Sequence, residues 1–164
     1  MAMPIAKLQR ILREKGAALG GDRKITIAMR RAGMEQTAFP AAPDLKIEKL
    51  TAAGRPAEWV TAPGADASHA ILYLHGGGYV MGSCNTHRSL AGEISRAAGA
   101  RVLLLDYRLG PEDKFPAALE DAVAAFQWMV AQGIAPGKTA IAGDSAGGGL
   151  TAAALVALRD QKSP

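Results

Sequence analysis

The chain is poor in the residues that usually announce a disulfide framework, a stacking platform or a metal centre. It holds one cysteine, Cys84, among 164 residues, and a lone thiol closes no internal disulfide, so packing must hold the fold. Aromatic residues make up 5% of the chain, and none interleaves with the N-terminal basic residues as a single-stranded nucleic-acid surface would require. No apolar run approaches the roughly 20 residues of a membrane span. A secretory leader is not expected, because Lys7, Arg10, Arg13 and Lys15 interrupt the first apolar positions, and the expected location is cytoplasmic. Histidine is scarce: His69, His75 and His87 are the three present. Nothing in the chain implies a metal or an organic cofactor.

What is present reads as a globular protein. A hydrophobic content of 49% beside 21% charged residues suits a folded core, and the length suits one domain or part of a larger one. Residues 1–40 carry eight Lys/Arg against three acidic residues, so the net charge of +4 is concentrated there. Such a head could meet nucleic acid or an anionic membrane; a solvated helix face is the simpler reading, and no nucleic-acid partner is expected.

Ile5, Leu8, Leu12 and Leu19 recur with charges between them, predicting an amphipathic helix over 5–19 closed by Gly20-Gly21. Asp22 is placed to cap a second helix running to about Met34. Two helices ahead of any strand suggest a cover. Residues 39–43, with Pro40 and Pro43, form a linker. From Leu45 the period becomes two, Ala53-Gly54 supplies a turn, and 55–61 reads as the second arm of a hairpin. The near-continuous apolar runs 70–74, 102–105 and 139–142 are expected to be strands covered on both faces. Helices are expected over 89–98, from Pro116 to about Val130, and over 150–158. Strands alternating with helices after a hairpin predict an α/β fold with a mostly parallel sheet.

Two glycine-rich segments carry the chemistry. Gly143-Asp144-Ser145-Ala146-Gly147 lies between the strand 139–142 and an Ala-rich helix, the context a nucleophile elbow requires. A serine there sits on a strained turn whose neighbours must lack bulk, and the following helix aims its N-terminal N–H groups at developing negative charge. The second segment, His75-Gly76-Gly77-Gly78, directly follows the strand 70–74. Consecutive glycines let backbone N–H donors approach an oxyanion closely. Both segments lie at the C-terminal ends of expected parallel strands, where open α/β sheets place ligands.

With Asp106-Tyr107-Arg108-Leu109-Gly110-Pro111-Glu112 as a third motif, the chain resembles the hormone-sensitive lipase family of α/β-hydrolases, known largely as microbial carboxylesterases. The resemblance runs from about Leu45 onward and departs at Gly110, where the family more often has alanine. It implies an N-terminal half of an α/β-hydrolase sheet, opening hairpin then parallel strands, with 1–40 as two cap helices and 41–164 as the first half of the catalytic domain. It makes Ser145 the nucleophile of an ester hydrolase and the N–H groups of Gly77, Gly78 and Ala146 its oxyanion hole. Gly76 allows the loop to turn, and His75 braces it.

The nucleophile needs a base and an orienting acid, which in α/β-hydrolases follow the serine as Asp or Glu, then His. After Ser145 no histidine occurs and Asp160 is the one acid. His87 with Asp106 is not expected to substitute, and the side chain of Asp144 is expected to diverge from Ser145. The expectation is therefore an esterase half, inactive and poorly soluble alone, whose small-molecule ester chemistry depends on a second chain or C-terminal half supplying acid and histidine. A non-catalytic binding module that keeps the pocket is the alternative.

Overall fold

The computed structural model describes residues 25–163. The helix expected over 5–19 and the cap expected from Asp22 lie outside those residues. Helix α1 (Ile27–Gln36) is capped by Thr26, whose hydroxyl oxygen accepts from the Met29 N–H at 3.2 Å. The helix buries none of its residues.

The hairpin forms as the sequence predicts. Strands β1 (Lys46–Ala52) and β2 (Arg55–Thr61) pair antiparallel from Lys46↔Thr61 to Ala52↔Arg55. The two residues between them, Ala53 (φ 49°) and Gly54 (φ 79°), are both left-handed, the twist that a two-residue hairpin loop demands. Strands β3 (Asp66–Leu74), β4 (Ala100–Leu105) and β5 (Thr139–Gly143) complete a five-stranded sheet of order β1-β2-β4-β3-β5. β3 runs parallel to both β4 and β5, while β2 joins β4 antiparallel, so the sheet is mixed.

The continuous apolar runs are explained by cover on both faces. Leu72, Leu74, Leu103 and Leu105 point to a core shared with α3 (Ala117–Ala131) and α4 (Ala146–Asp160). The intervening Tyr73, Val102 and Leu104 point to the opposite core beneath α2 (Cys84–Ala98). Alternation along a pleated strand sends neighbours to opposite faces, so each run must be apolar throughout. Burying such a leucine stabilises the fold by about 2 kcal/mol.

Two helices begin earlier than their apolar period suggests. α2 starts at Cys84 rather than near Ser89, because Ser83 and Thr86 cap it reciprocally and Asp106 accepts from the Cys84 N–H at 2.6 Å. α4 starts at Ala146 rather than Leu150: its first turn is Gly-rich, which intrinsic propensity disfavours and close packing requires. The register pairs Leu74 with both Leu105 and Gly143. The three motif loops therefore leave adjacent strand ends side by side.

Candidate active site

Ser145 stands between β5 and α4 with φ 50° and ψ −119°, a left-handed backbone that costs a non-glycine residue of order 1–3 kcal/mol. Its side chain is exposed. The flanking glycines are required by contact rather than by dihedral angle. A Cβ on Gly147 would be driven into the Leu74 carbonyl and to 2.7 Å from that of His75. A Cβ on Gly143 would lie 2.5 Å from the Leu74 carbonyl and from Gly147. The elbow is thus pressed backbone to backbone against the end of β3.

The loop after β3 is held peptide plane by peptide plane. Because each peptide is rigid, its C=O and N–H point in opposite directions, and a bond to one aims the other. The His75–Gly76 plane is held on both sides: Tyr107 Oη donates to the His75 carbonyl at 2.6 Å, and the Gly76 N–H donates to Asp144 Oδ1 at 2.8 Å. In the next plane, His75 Nδ1 donates to the Gly76 carbonyl at 2.8 Å, which aims the Gly77 N–H the other way. In the third, the Gly77 carbonyl accepts from the N–H groups of Val80 (3.2 Å) and Met81 (3.1 Å), which leaves the Gly78 N–H on the far side. Among the described residues the N–H groups of Gly77, Gly78 and Ala146 have no hydrogen-bond acceptor. Buried or not, such donors are available to a ligand oxygen. Gly77 (φ 126°) and Gly78 (φ 64°) reach these orientations through positive φ.

His75 is almost wholly buried and stacks on Tyr107 with ring centroids 4.3 Å apart. A carbonyl can only accept, so the proton of the neutral ring sits on Nδ1. Burial lowers the His75 pKa, which keeps the ring neutral. Burial likewise raises the pKa of Tyr107 and, with help from Asp144, that of Tyr73. Among the described residues Asp144 makes no side-chain hydrogen bond to Ser145. Besides Gly76 it accepts from Tyr73 Oη at 3.1 Å, and His87 Nε2 lies 3.3 Å from the same oxygen. The residue beside the serine is thus the tie between the two glycine segments, a role its position in the elbow motif hints at and only the fold supplies.

The remaining titratable candidates are elsewhere. His87 is buried, with Nδ1 2.8 Å from Thr86 Oγ1. Asp106 accepts from the N terminus of α2. His69 lies at the start of β3 beside Asp66, whose carboxyl is held down to about 2 by the N–H and hydroxyl of Ser68 and by His69. Asp160 closes α4, about 20 Å along the helix from the serine, and pairs with Arg159 at 2.7 Å. Among the described residues no histidine nitrogen hydrogen-bonds Ser145. Cys84 is buried and its thiol pKa is pushed up by burial, which makes it unreactive. No cluster of metal-ligating side chains occurs among the described residues, nor is any helix there long and apolar enough to cross a membrane.

Beside the glycine loop a cavity of about 430 Å³ opens, lined mainly by apolar groups of Tyr79, Val80, Phe115, Leu119, Leu150 and Ala153. It joins the loop to the second turn of α4.

Comparison with known proteins agrees with this fold. Residues 71–164 match the alpha/beta hydrolase fold family. An acetyl-hydrolase of Streptomyces hygroscopicus is 54% identical over 108 residues, which are 66% of this chain and 36% of that protein. The crystal structure of an esterase/lipase from an uncultured bacterium superposes with a TM-score of 0.92 at 58% identity, over 99% of this chain and 55% of that one. An esterase of the bacterial hormone-sensitive lipase family superposes at 0.88 with 48% identity, over 100% of this chain and 55% of that one. The chain thus spans between about a third and just over half the length of these relatives. By motif order, sheet topology and likeness alike, the chain belongs to the hormone-sensitive lipase family of α/β-hydrolases.

Proposed function

We propose that the chain carries the nucleophile and oxyanion half of a serine carboxylesterase acting on short-chain carboxylic esters. The observation that carries this reading is the exposed Ser145 on a strained turn, beside two aimed and unused amides of a neighbouring strand end. Ser145 Oγ attacks the ester carbonyl while its proton passes to a histidine, which hands that proton to the alcohol oxygen as the C–O bond breaks, and an acyl-serine remains. Water, activated by the same histidine, then releases the acid and restores the hydroxyl. At each tetrahedral stage the Gly77, Gly78 and Ala146 N–H groups donate to the oxyanion, with the positive end of the α4 dipole behind them. His75 and Gly76 shape the loop and transfer no proton.

The histidine and its acid lie outside residues 1–164 in this reading, on a C-terminal half or a second chain. Residues 1–40 form the first part of a cap and 41–164 the first half of the catalytic domain. The apolar cavity beside Tyr79 supports a hydrocarbon substituent on the ester, and the similarity to an acetyl-hydrolase supports a small acyl group. One observation favours a second reading, a non-catalytic binding module: no histidine reaches Ser145 among the described residues.

The test is to express residues 1–164 with a complement built from the remaining part of a similar esterase, and to assay p-nitrophenyl acetate and fluorophosphonate labelling. Hydrolysis together with label on Ser145, both dependent on the complement, is the expected result. A folded complex that neither hydrolyses nor labels means a binding module instead.

A further inference from the structure

Helix α1 touches the glycine loop in a way its burial does not explain. It buries none of its residues, and Met29 is half exposed, so apolar packing gives it little reason to stay where it is. Its attachments are polar, and they converge on the loop. Arg31 Nε donates to the Val80 carbonyl at 2.6 Å, and Nη2 donates to the Gly110 carbonyl at 2.8 Å. Nη1 and Nη2 also meet Glu112 in a fork at 3.0 and 2.7 Å. One helical turn later Glu35 accepts from Ser83 Oγ at 2.6 Å and from Asn85 Nδ2 at 2.8 Å.

The geometry points to Arg31 as a positioning residue for the oxyanion donors, oriented by Glu112. This inference rests on the esterase reading above. The Val80 carbonyl that Arg31 holds shares a rigid plane with the Met81 N–H, and that N–H donates to the Gly77 carbonyl. The Gly77 carbonyl in turn shares a plane with the Gly78 N–H. Two planes therefore link the guanidinium to an oxyanion donor. The Gly110 N–H, bound to the Tyr79 carbonyl at 2.8 Å, closes the same turn from the other side, and Arg31 grips the Gly110 carbonyl as well. Four of the guanidinium's five N–H groups are used. An ammonium group would meet Glu112 but could not span both carbonyls. The third motif thereby gains a function: Glu112 presents Arg31 to the loop that precedes it in the chain.

The test compares wild type, R31A, R31K and E112Q in the complemented, active enzyme, reading kcat and KM separately and the affinity for a phosphonate or boronate transition-state analogue. A donor that has swung off the oxyanion loses transition-state binding and little ground-state binding. We expect kcat to fall about 10- to 100-fold in R31A, about 10-fold in R31K and about 2-fold in E112Q, with KM within about 2-fold. Analogue affinity should fall in proportion to kcat/KM. If R31A does not fold, R31K is the deciding variant, since it keeps the charge opposite Glu112. Unchanged kcat in a folded R31K, or a loss confined to thermal stability, overturns the role of Arg31 while leaving the esterase reading intact. An inert wild-type complex overturns both.

Discussion

The two glycine segments differ in which residue carries the left-handed backbone. In the elbow, Gly143 and Gly147 are demanded by contact, while the unusual backbone conformation falls on a residue with a side chain, Ser145. In the loop after β3, Gly77 and Gly78 adopt positive φ themselves; contact also demands Gly76 and Gly77, where a Cβ would be driven into the Asp144 carboxylate and the Met81 carbonyl, while one at Gly78 would meet nothing closer than Val80 Cγ2 at 4.0 Å. The elbow is strained so that a hydroxyl stands clear. The loop takes positive φ so that amides can be aimed, and hydrogen bonds donated by His75, Tyr107 and the Val80–Met81 turn and accepted by Asp144 then hold them. One segment stores strain at an exposed serine, and the other turns the freedom of glycine into direction.

The largest effect expected from breaking this contrast lies at Ser145. S145G should abolish turnover in the complemented enzyme, by about 10⁴-fold or more, yet raise stability by about 1 kcal/mol, because glycine tolerates the left-handed backbone. Ester kinetics beside urea denaturation reads both signs from one variant. Next comes G147A, where a methyl would run into the backbone carbonyls of Leu74 and His75. It should cost about 3 kcal/mol or more, visible as a fall in denaturant midpoint. G78A should cost only about 1 kcal/mol, since the space is open and only the φ is unfavourable. Relief of that φ would turn the Gly78 amide off its aim, so kcat should nevertheless drop about 10-fold.

The smallest effect is the pH response of His75. Its folded pKa lies below the ordinary value, so the unfolded chain binds the proton more readily. The contribution is fully present above about pH 6.5 and is lost as pH falls below that value. His87, Asp106 and Asp144 face the same ring; the two carboxylates temper the loss, while a charged His87 adds to it. Thermal melts between pH 7.5 and 5 should show Tm falling with acid, with a shallower slope in H75Q.

Much of this was legible in the residues. The alternation around Ala53-Gly54 predicted the hairpin, and the doubly apolar runs predicted covered strands, because side-chain period and two-faced burial leave direct marks on composition. The starts of α2 and α4 were not legible. Cys84 to Arg88 carries little apolar signal, and its helix is secured by Ser83, Thr86 and the distant Asp106. The glycines at 147–149 read locally as a turn, although the neighbouring strand end is what makes a small residue necessary at Gly147. Asp144 could be seen to sit beside Ser145, whereas its grip on Gly76, Tyr73 and His87 depends on residues about 60 to 70 positions away.

By itself the sequence determined which residue types could do chemistry and in what local setting: a serine after a strand and before a helix, and glycines after another strand. Those are short-range consequences of period, propensity and turn sterics. Tertiary structure alone decided that the two strand ends are neighbours, that three successive peptide planes are held so that amides remain free, and that an exposed helix is tied through Arg31 to the turn that holds the third of them. Each of these joins groups far apart in the chain, and a hydrogen bond between such groups leaves no periodic trace in the residues that make it.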